Sequence, residues 1–151
     1  MYRIISGRWK AKKIAAPKHF DVRPTTDFAK EALFSIIENR YDLSFCAVLD
    51  LFAGIGSISL EFASRGCENI TAVEMNAKHT AFINQTAADL DMALQVNVQR
   101  ADVYDWLKKN RNKKQYDIVF ADAPFDSTDE KKYHELISLV LNNGFSNIRR
   151  G

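Results

Sequence analysis

The sequence predicts an α/β fold, a largely parallel sheet with helices on both faces, entered through an N-terminal β-hairpin. Three observations carry this. The chain has 151 residues of which 46% are hydrophobic, enough to form the core of one domain. From Ala47 onward, short apolar runs alternate with helix-period segments, which is the pattern of βαβ units. Each run then stops at a polar or glycine-containing stretch, where ligands gather in an open parallel sheet.

Taken in order, residues 3–15 (RIISGRWKAKKIA) read as a basic hairpin. Residues 1–20 hold Arg3, Arg8, Lys10, Lys12, Lys13 and Lys18 and no acid, whereas the remainder carries 15 basic against 19 acidic residues. The net charge of +2 therefore hides a basic end, and basic residues interleaved with an aromatic, here Trp9, suit a phosphate backbone and its bases. A second basic cluster, KKNRNKK from Lys108 to Lys114, lies between two predicted elements. A helix follows from Asp27 to Asn39, with Ala29, Ala32, Leu33, Ile36 and Ile37 at helical spacing and Thr26 or Asp27 placed to cap it.

Four strands are predicted in the runs AVLDLF (47–52), NITAVE (69–74), LQVNVQ (94–99) and YDIVFA (116–121), rich in the types that sheet interiors prefer. The intervening helices span 57–64, closed by Gly66, then 77–90 and 103–109. A last helix, 130–141, sets Tyr133, Leu136, Ile137, Val140 and Leu141 on one face. The chain is thus one domain over 1–151: a basic hairpin (1–20), a helical lead-in (21–42) and an α/β core from 43. No run of 18 apolar residues and no signal-peptide core occur, so no membrane association and a cytoplasmic location are expected. Cys46 and Cys67 stand 21 residues apart and the three histidines are scattered, so neither a disulfide framework nor a metal site is expected. Both thiols read as small buried hydrophobes.

What stands at the strand ends carries the chemistry. After the first strand comes DLFAGIGS, where Gly54 and Gly56 let the backbone approach a ligand at a helix N-terminus. Ser59 occupies the sixth position of GIGSIS, where a dinucleotide fingerprint needs Gly or Ala, and this weakens a nicotinamide reading. Glu74 at the end of the second strand is placed to accept from both hydroxyls of a ribose, or to sit as an acid at a helix start. Asp102 either accepts from an adenine amino group or caps a helix. The fourth strand ends in Asp122-Ala123-Pro124-Phe125. A carboxylate beside a main-chain carbonyl matches the two N–H bonds of an exocyclic amine, Pro124 fixes the carbonyl direction, and Phe125 offers a face for a planar base.

With these residues in this order, the chain resembles the class I S-adenosylmethionine-dependent methyltransferases, and within them the RsmD family of 16S ribosomal RNA guanine-N2 methyltransferases. RIISGRWKAKKI, RPTTDFAKEALFSII, DLFAGIGSISLEFASRG, AVEMN and DAPF carry the likeness over nearly the whole chain. The resemblance implies a Rossmann-like sheet and S-adenosylmethionine as cofactor. Asp50, Phe52, Ala53, Gly54 and Gly56 would line its methionine part, Glu74 would hold its ribose and Asp102 its adenine. Thr25, Thr26 and Arg23 would border the cofactor and substrate pocket, Asp122 to Phe125 would hold the target base, and Arg8, Trp9, Lys10, Lys12, Lys13 and Arg23 would meet RNA. Ribosomal RNA or a small-subunit particle is the implied partner. Ala123 stands where the family motif, DPPF or NPPY, has its first proline, but that residue acts through its carbonyl. The family sheet has seven strands and the sequence supplies four, so an incomplete core and an edge beside 116–121 open to another chain are expected. Methylation of adenine N6 or a glutamine amide, and RNA or adenosine binding without turnover, remain alternatives on the residues alone.

Overall fold

The computed structural model describes residues 1–20, 25–124 and 129–142. Arg23 and Phe125, expected at the RNA and at the base, lie outside the described residues. The predicted elements form in the predicted order. A small antiparallel pair, β1 (Tyr2–Arg3) and β2 (Lys13–Ile14), precedes α1 (Asp27–Arg40). After one 3-10 turn come β3 (Ala47–Leu51), α2 (Ser57–Ser64), β4 (Asn69–Glu74), α3 (Ala77–Asp89), β5 (Val96–Arg100), α4 (Val103–Lys109), β6 (Ile118–Ala121) and α5 (Glu130–Asn142). The last four strands form one parallel sheet in the order β5-β4-β3-β6. The winding reverses between β3 and β6, which opens a crevice at their carboxyl ends.

Boundaries move for local reasons. β3 stops at Leu51 because Phe52 takes a positive φ of 58°, which strand pairing cannot continue. β5 begins at Val96, two residues later than expected, because Gln95 and Val96 donate their N–H groups to the Met92 carbonyl in a turn. Gly66 does close α2: with φ 103° it donates to Ala63 O, and Cys67 N donates to Phe62 O, the paired bonds of a Schellman motif.

The alternation of β3 divides the core. Val48 packs with α2, α3, Phe34 of α1 and the hairpin, while Leu49 and Leu51 pack with Val73, α4 and α5 on the other face. Asp50 shares the Val48 face and therefore points towards α2. Cys46 and Cys67 are free and buried, as read from sequence. Every residue of α2 is buried, Glu61 among them, which its sequence did not announce.

The reason is the N-terminal segment. Strands of two residues each make a far smaller hairpin than the expected 3–15, and residues 4–12 form a loop that lies on α2. Ile5 N and Ser6 N donate to the two Glu61 carboxylate oxygens at 2.8 and 3.1 Å, Arg8 N donates to Ser64 O at 2.8 Å, and Trp9 N donates to Ser64 Oγ at 2.9 Å. At Gly7 a Cβ would fall 2.0 Å from the Ser64 carbonyl, so only glycine admits this approach. From α1, buried Lys30 donates Nζ to the Arg3 carbonyl and lies 3.5 Å from Glu61.

On the opposite face, α5 buries Leu136 and Val140 but exposes Tyr133, Ile137 and Leu141, three of the five residues of the stripe expected to pack. With Val119 and Ala121 they border an open groove of about 370 Å³. Among the described residues β6 pairs with β3 alone. No described helix is long and apolar enough to cross a membrane.

Candidate active site

At the carboxyl ends of β3, β4 and β6 lies a cavity of about 500 Å³, within the range of small-molecule sites. Its floor is the turn after β3. Phe52, Gly54 and Gly56 all take positive φ, at 58°, 60° and 85°, so the chain reverses in five residues and presents α2 end-on to the cavity. A Cβ on Gly56 would meet the Ile83 side chain at 3.0 Å, which keeps α3 close behind the turn. Ser57 opens α2, lines the cavity, and buries its Oγ with no hydrogen-bond partner among the described residues. A buried hydroxyl without a partner is costly in the absence of a ligand, and here it sits at a helix N-terminus.

Glu74, at the end of β4, binds this turn from the side. Its Oε1 accepts from Gly54 N at 2.9 Å and its Oε2 from Asn76 N at 2.8 Å, with His79 Nδ1 3.8 Å away. Each carboxylate oxygen keeps a second lone pair for a ligand hydroxyl. Asp50, on the α2 side of β3, accepts from Ser59 Oγ at 2.6 Å. Burial pushes its carboxyl up to about 7. The Ser59 hydrogen bond opposes that rise, and the Asp122 and Glu74 carboxylates add to it.

The remaining expected residues fall into three groups. Thr25, Asp50, Phe52, Ala53, Gly54, Glu74, Asp102, Asp122, Ala123 and Pro124 all line the one cavity, although they span a hundred residues of chain. Asp102 lines it while also capping α4, accepting from Asp105 N at 3.1 Å, so its two readings are compatible. Thr26 and Gly56 do not line it: the Thr26 hydroxyl caps α1 by accepting from Ala29 N, and Gly56 acts through its backbone turn.

The basic residues lie apart. Arg8, Lys10, Lys12 and Lys13 are exposed, whereas the Trp9 ring is partly buried against the core, beneath the Arg8 guanidinium at 5.2 Å. Trp9 was expected among the residues that meet RNA, and the docking of its loop on α2 leaves its ring only partly accessible. Sequence reasoning missed Ser57, Met75 and His79 in the wall. Ser57 had a signal, as the first helical residue after the glycine turn, but nothing local to His79 marks it.

The arrangement suits S-adenosylmethionine. The glycine turn, the unpartnered Ser57 hydroxyl, the free lone pairs of the Glu74 carboxylate and the size of the cavity fit that cofactor's methionine and ribose parts. Comparison with known proteins agrees. The model of the family described as Conserved hypothetical protein 95 matches residues 2–147. A protein of Buchnera aphidicola (Baizongia pistaciae) named Ribosomal RNA small subunit methyltransferase D is 36% identical over 144 residues, covering 95% of this chain and 69% of the relative. The chain belongs to the ribosomal RNA small subunit methyltransferase D family.

Other members are similarly related. The Escherichia coli K12 protein of the same name is 32% identical, covering 95% of this chain and 68% of its own length. The solved yhhF structure from Escherichia coli superposes with a TM-score of 0.79 at 29% identity, covering 96% of this chain and 74% of that one. In this member of the methyltransferase D family, the first-strand turn, Glu74 and Asp122-Ala123-Pro124 line one cavity. Its sheet has four parallel strands among the described residues, and it spans about two thirds of the length of these curated relatives.

Proposed function

We infer that the protein methylates the exocyclic N2 of a guanine in small-subunit ribosomal RNA, in the cytoplasm, with S-adenosylmethionine as donor. The observation that carries this is the convergence of Glu74 and Gly54 with Asp122 and Ala123 on one cavity. The cofactor supplies an electrophilic methyl on a sulfonium. Glu74 would accept from its ribose hydroxyls, Ser57 and the α2 N-terminus would receive its carboxylate, and Asp102 would accept from the adenine amine.

The protein's own work is then positional and electrostatic. An aromatic amine is a weak nucleophile, so alignment in a water-poor site is most of what catalysis requires. Asp122 and the Ala123 carbonyl would accept the two N–H bonds of the amine, fixing its direction and stabilising the positive charge that grows on nitrogen. The Asp122 carboxylate is exposed at the cavity mouth, within reach of solvent to pass the proton on. A base edge is reachable only when unstacked, so the substrate is a loop or a flipped nucleotide.

Incubating the protein with small-subunit RNA or particles and methyl-labelled donor, then separating the nucleosides, tests the reading. Label in N2-methylguanosine is the expected result. Label in N6-methyladenosine or in protein would move the substrate to another planar amine held by the same motif, and firm RNA binding without label would make the chain a binding module.

The exposed cations of the N-terminal loop would supply the RNA contact. Replacing Arg8, Lys10 and Lys12 together with alanine should weaken RNA binding and reduce the slope of log affinity on log salt by about 2 to 3, since each phosphate left without its cation lowers the slope by roughly one. Affinity for S-adenosylhomocysteine should stay unchanged, since none of the three lines the cavity. An unaltered salt slope would return these side chains to simple solvation.

A further inference from the structure

The cavity wall is acidic, and of its carboxylates Asp50 alone has no ligand group assigned to it. Four carboxylates line it: Asp50 from β3, Glu74 from β4, Asp102 before α4 and Asp122 after β6. Among the described lining residues there is no lysine or arginine, and His79 of α3, beside Glu74, is the one basic side chain. Of the four acids only Asp50 is fully enclosed, 1% exposed, with Ser59 of α2 as its hydrogen-bond donor and Glu74 and Asp122 as the charges acting on it. Glu61, also on α2, is committed to the N-terminal loop, Lys30 and Arg65.

We propose that Asp50 changes charge when the cavity fills: a cationic ligand seated among these carboxylates expels the Asp50 proton to solvent, so cofactor uptake is linked to proton release. The wall then favours the cationic sulfonium donor over its uncharged thioether product. This rests on the reading of the cavity as the cofactor site. The balance is simple, since the O–H bond of the Asp50 carboxyl breaks, the proton passes to buffer and the carboxylate remains as counter-charge. Near neutrality the ligand-free carboxyl is poised for the change, because burial has brought it to about 7. Loss of the donor's positive charge on methyl transfer removes the partner that holds Asp50 ionised, so the site takes a proton back and the product leaves more readily.

Calorimetric titration with S-adenosylmethionine in phosphate and in Tris, which differ in ionisation heat, counts the protons released. Roughly half a proton per cofactor is expected at pH 7, approaching one at pH 6 and none at pH 9, for a group titrating near 7. S-adenosylhomocysteine should bind severalfold more weakly than the donor and release less. Asp50→Asn should abolish the release and narrow the gap between the two ligands. Should that variant not fold, Ser59→Ala provides the signed alternative: without the hydrogen bond that favours the ionised form, release at pH 7 should rise towards a whole proton. Normal binding with no proton release at pH 7, or release undiminished in Asp50→Asn, overturns the proposal while leaving the cofactor site intact. Absence of binding by either ligand would instead remove the cofactor reading, and the proposal with it.

Discussion

Replacing Asp122 with alanine should lower methyl transfer by roughly 10²-fold or more, the scale of losing one preorganised electrostatic group. Affinity for S-adenosylhomocysteine should hardly change. The structure separates these effects because Asp122 follows β6 at the cavity mouth, whereas the groups that tie down the glycine turn belong to β4. Glu74→Ala should do the opposite. It removes the acceptor for Gly54 N and Asn76 N as well as the proposed ribose contact, so cofactor affinity should fall sharply. The measurements are single-turnover transfer rates at saturating donor and binding titrations on the same preparations. An Asp122→Ala protein that folds, binds cofactor and transfers methyl at the parent rate would sink the assigned role.

Glu61→Ala should cost about 3 to 5 kcal/mol of folding stability, the range for removing one member of a buried ion pair. Glu61 is fully buried and accepts from Ile5 N, Ser6 N and Arg65 Nε, with Lys30 Nζ at 3.5 Å. Its loss strands two backbone donors and leaves Lys30, already held below the ordinary lysine value by burial, without the carboxylate that opposes that shift. For a domain of this size the midpoint should drop by roughly 10 °C. Urea denaturation of the variant checks the figure. Lys30→Met combined with Glu61→Leu should be less damaging than the sum of the single changes, because the unpaired ammonium is gone. A Glu61→Ala protein within about 1 kcal/mol of the parent would mean that water enters and replaces the carboxylate.

The second effect reaches the active site through the N-terminal segment. Buried Tyr2, in β1, donates its hydroxyl to the Ile55 carbonyl at 3.0 Å, inside the glycine turn. The loop carrying the exposed cations is therefore fastened both to α2 and to the turn that forms the cavity floor.

The element order, the parallel sheet and the polar strand ends are all legible in local sequence. Each of these is written locally, in β-branched runs such as NITAVE, in helical spacing such as that of α3, and in glycines at turns that need positive φ. A parallel order then brings strand ends together whatever packs around them, so Gly54, Glu74, Asp102, Asp122, Ala123 and Pro124 follow from pattern, whereas Thr25, Asp50, Phe52 and Ala53 were expected only from the family resemblance. Tertiary structure decided the state of each group once there. Thr25 faces the cavity while its neighbour Thr26 caps a helix, a choice made by the direction in which α1 starts. Asp50 is driven towards a neutral carboxyl and Glu61 is not solvated at all, because α2 is covered on both sides, in part by residues more than fifty positions away. Solvation of a charge depends on what lies over it in space, and that cover is set by long-range packing that no short stretch of sequence contains.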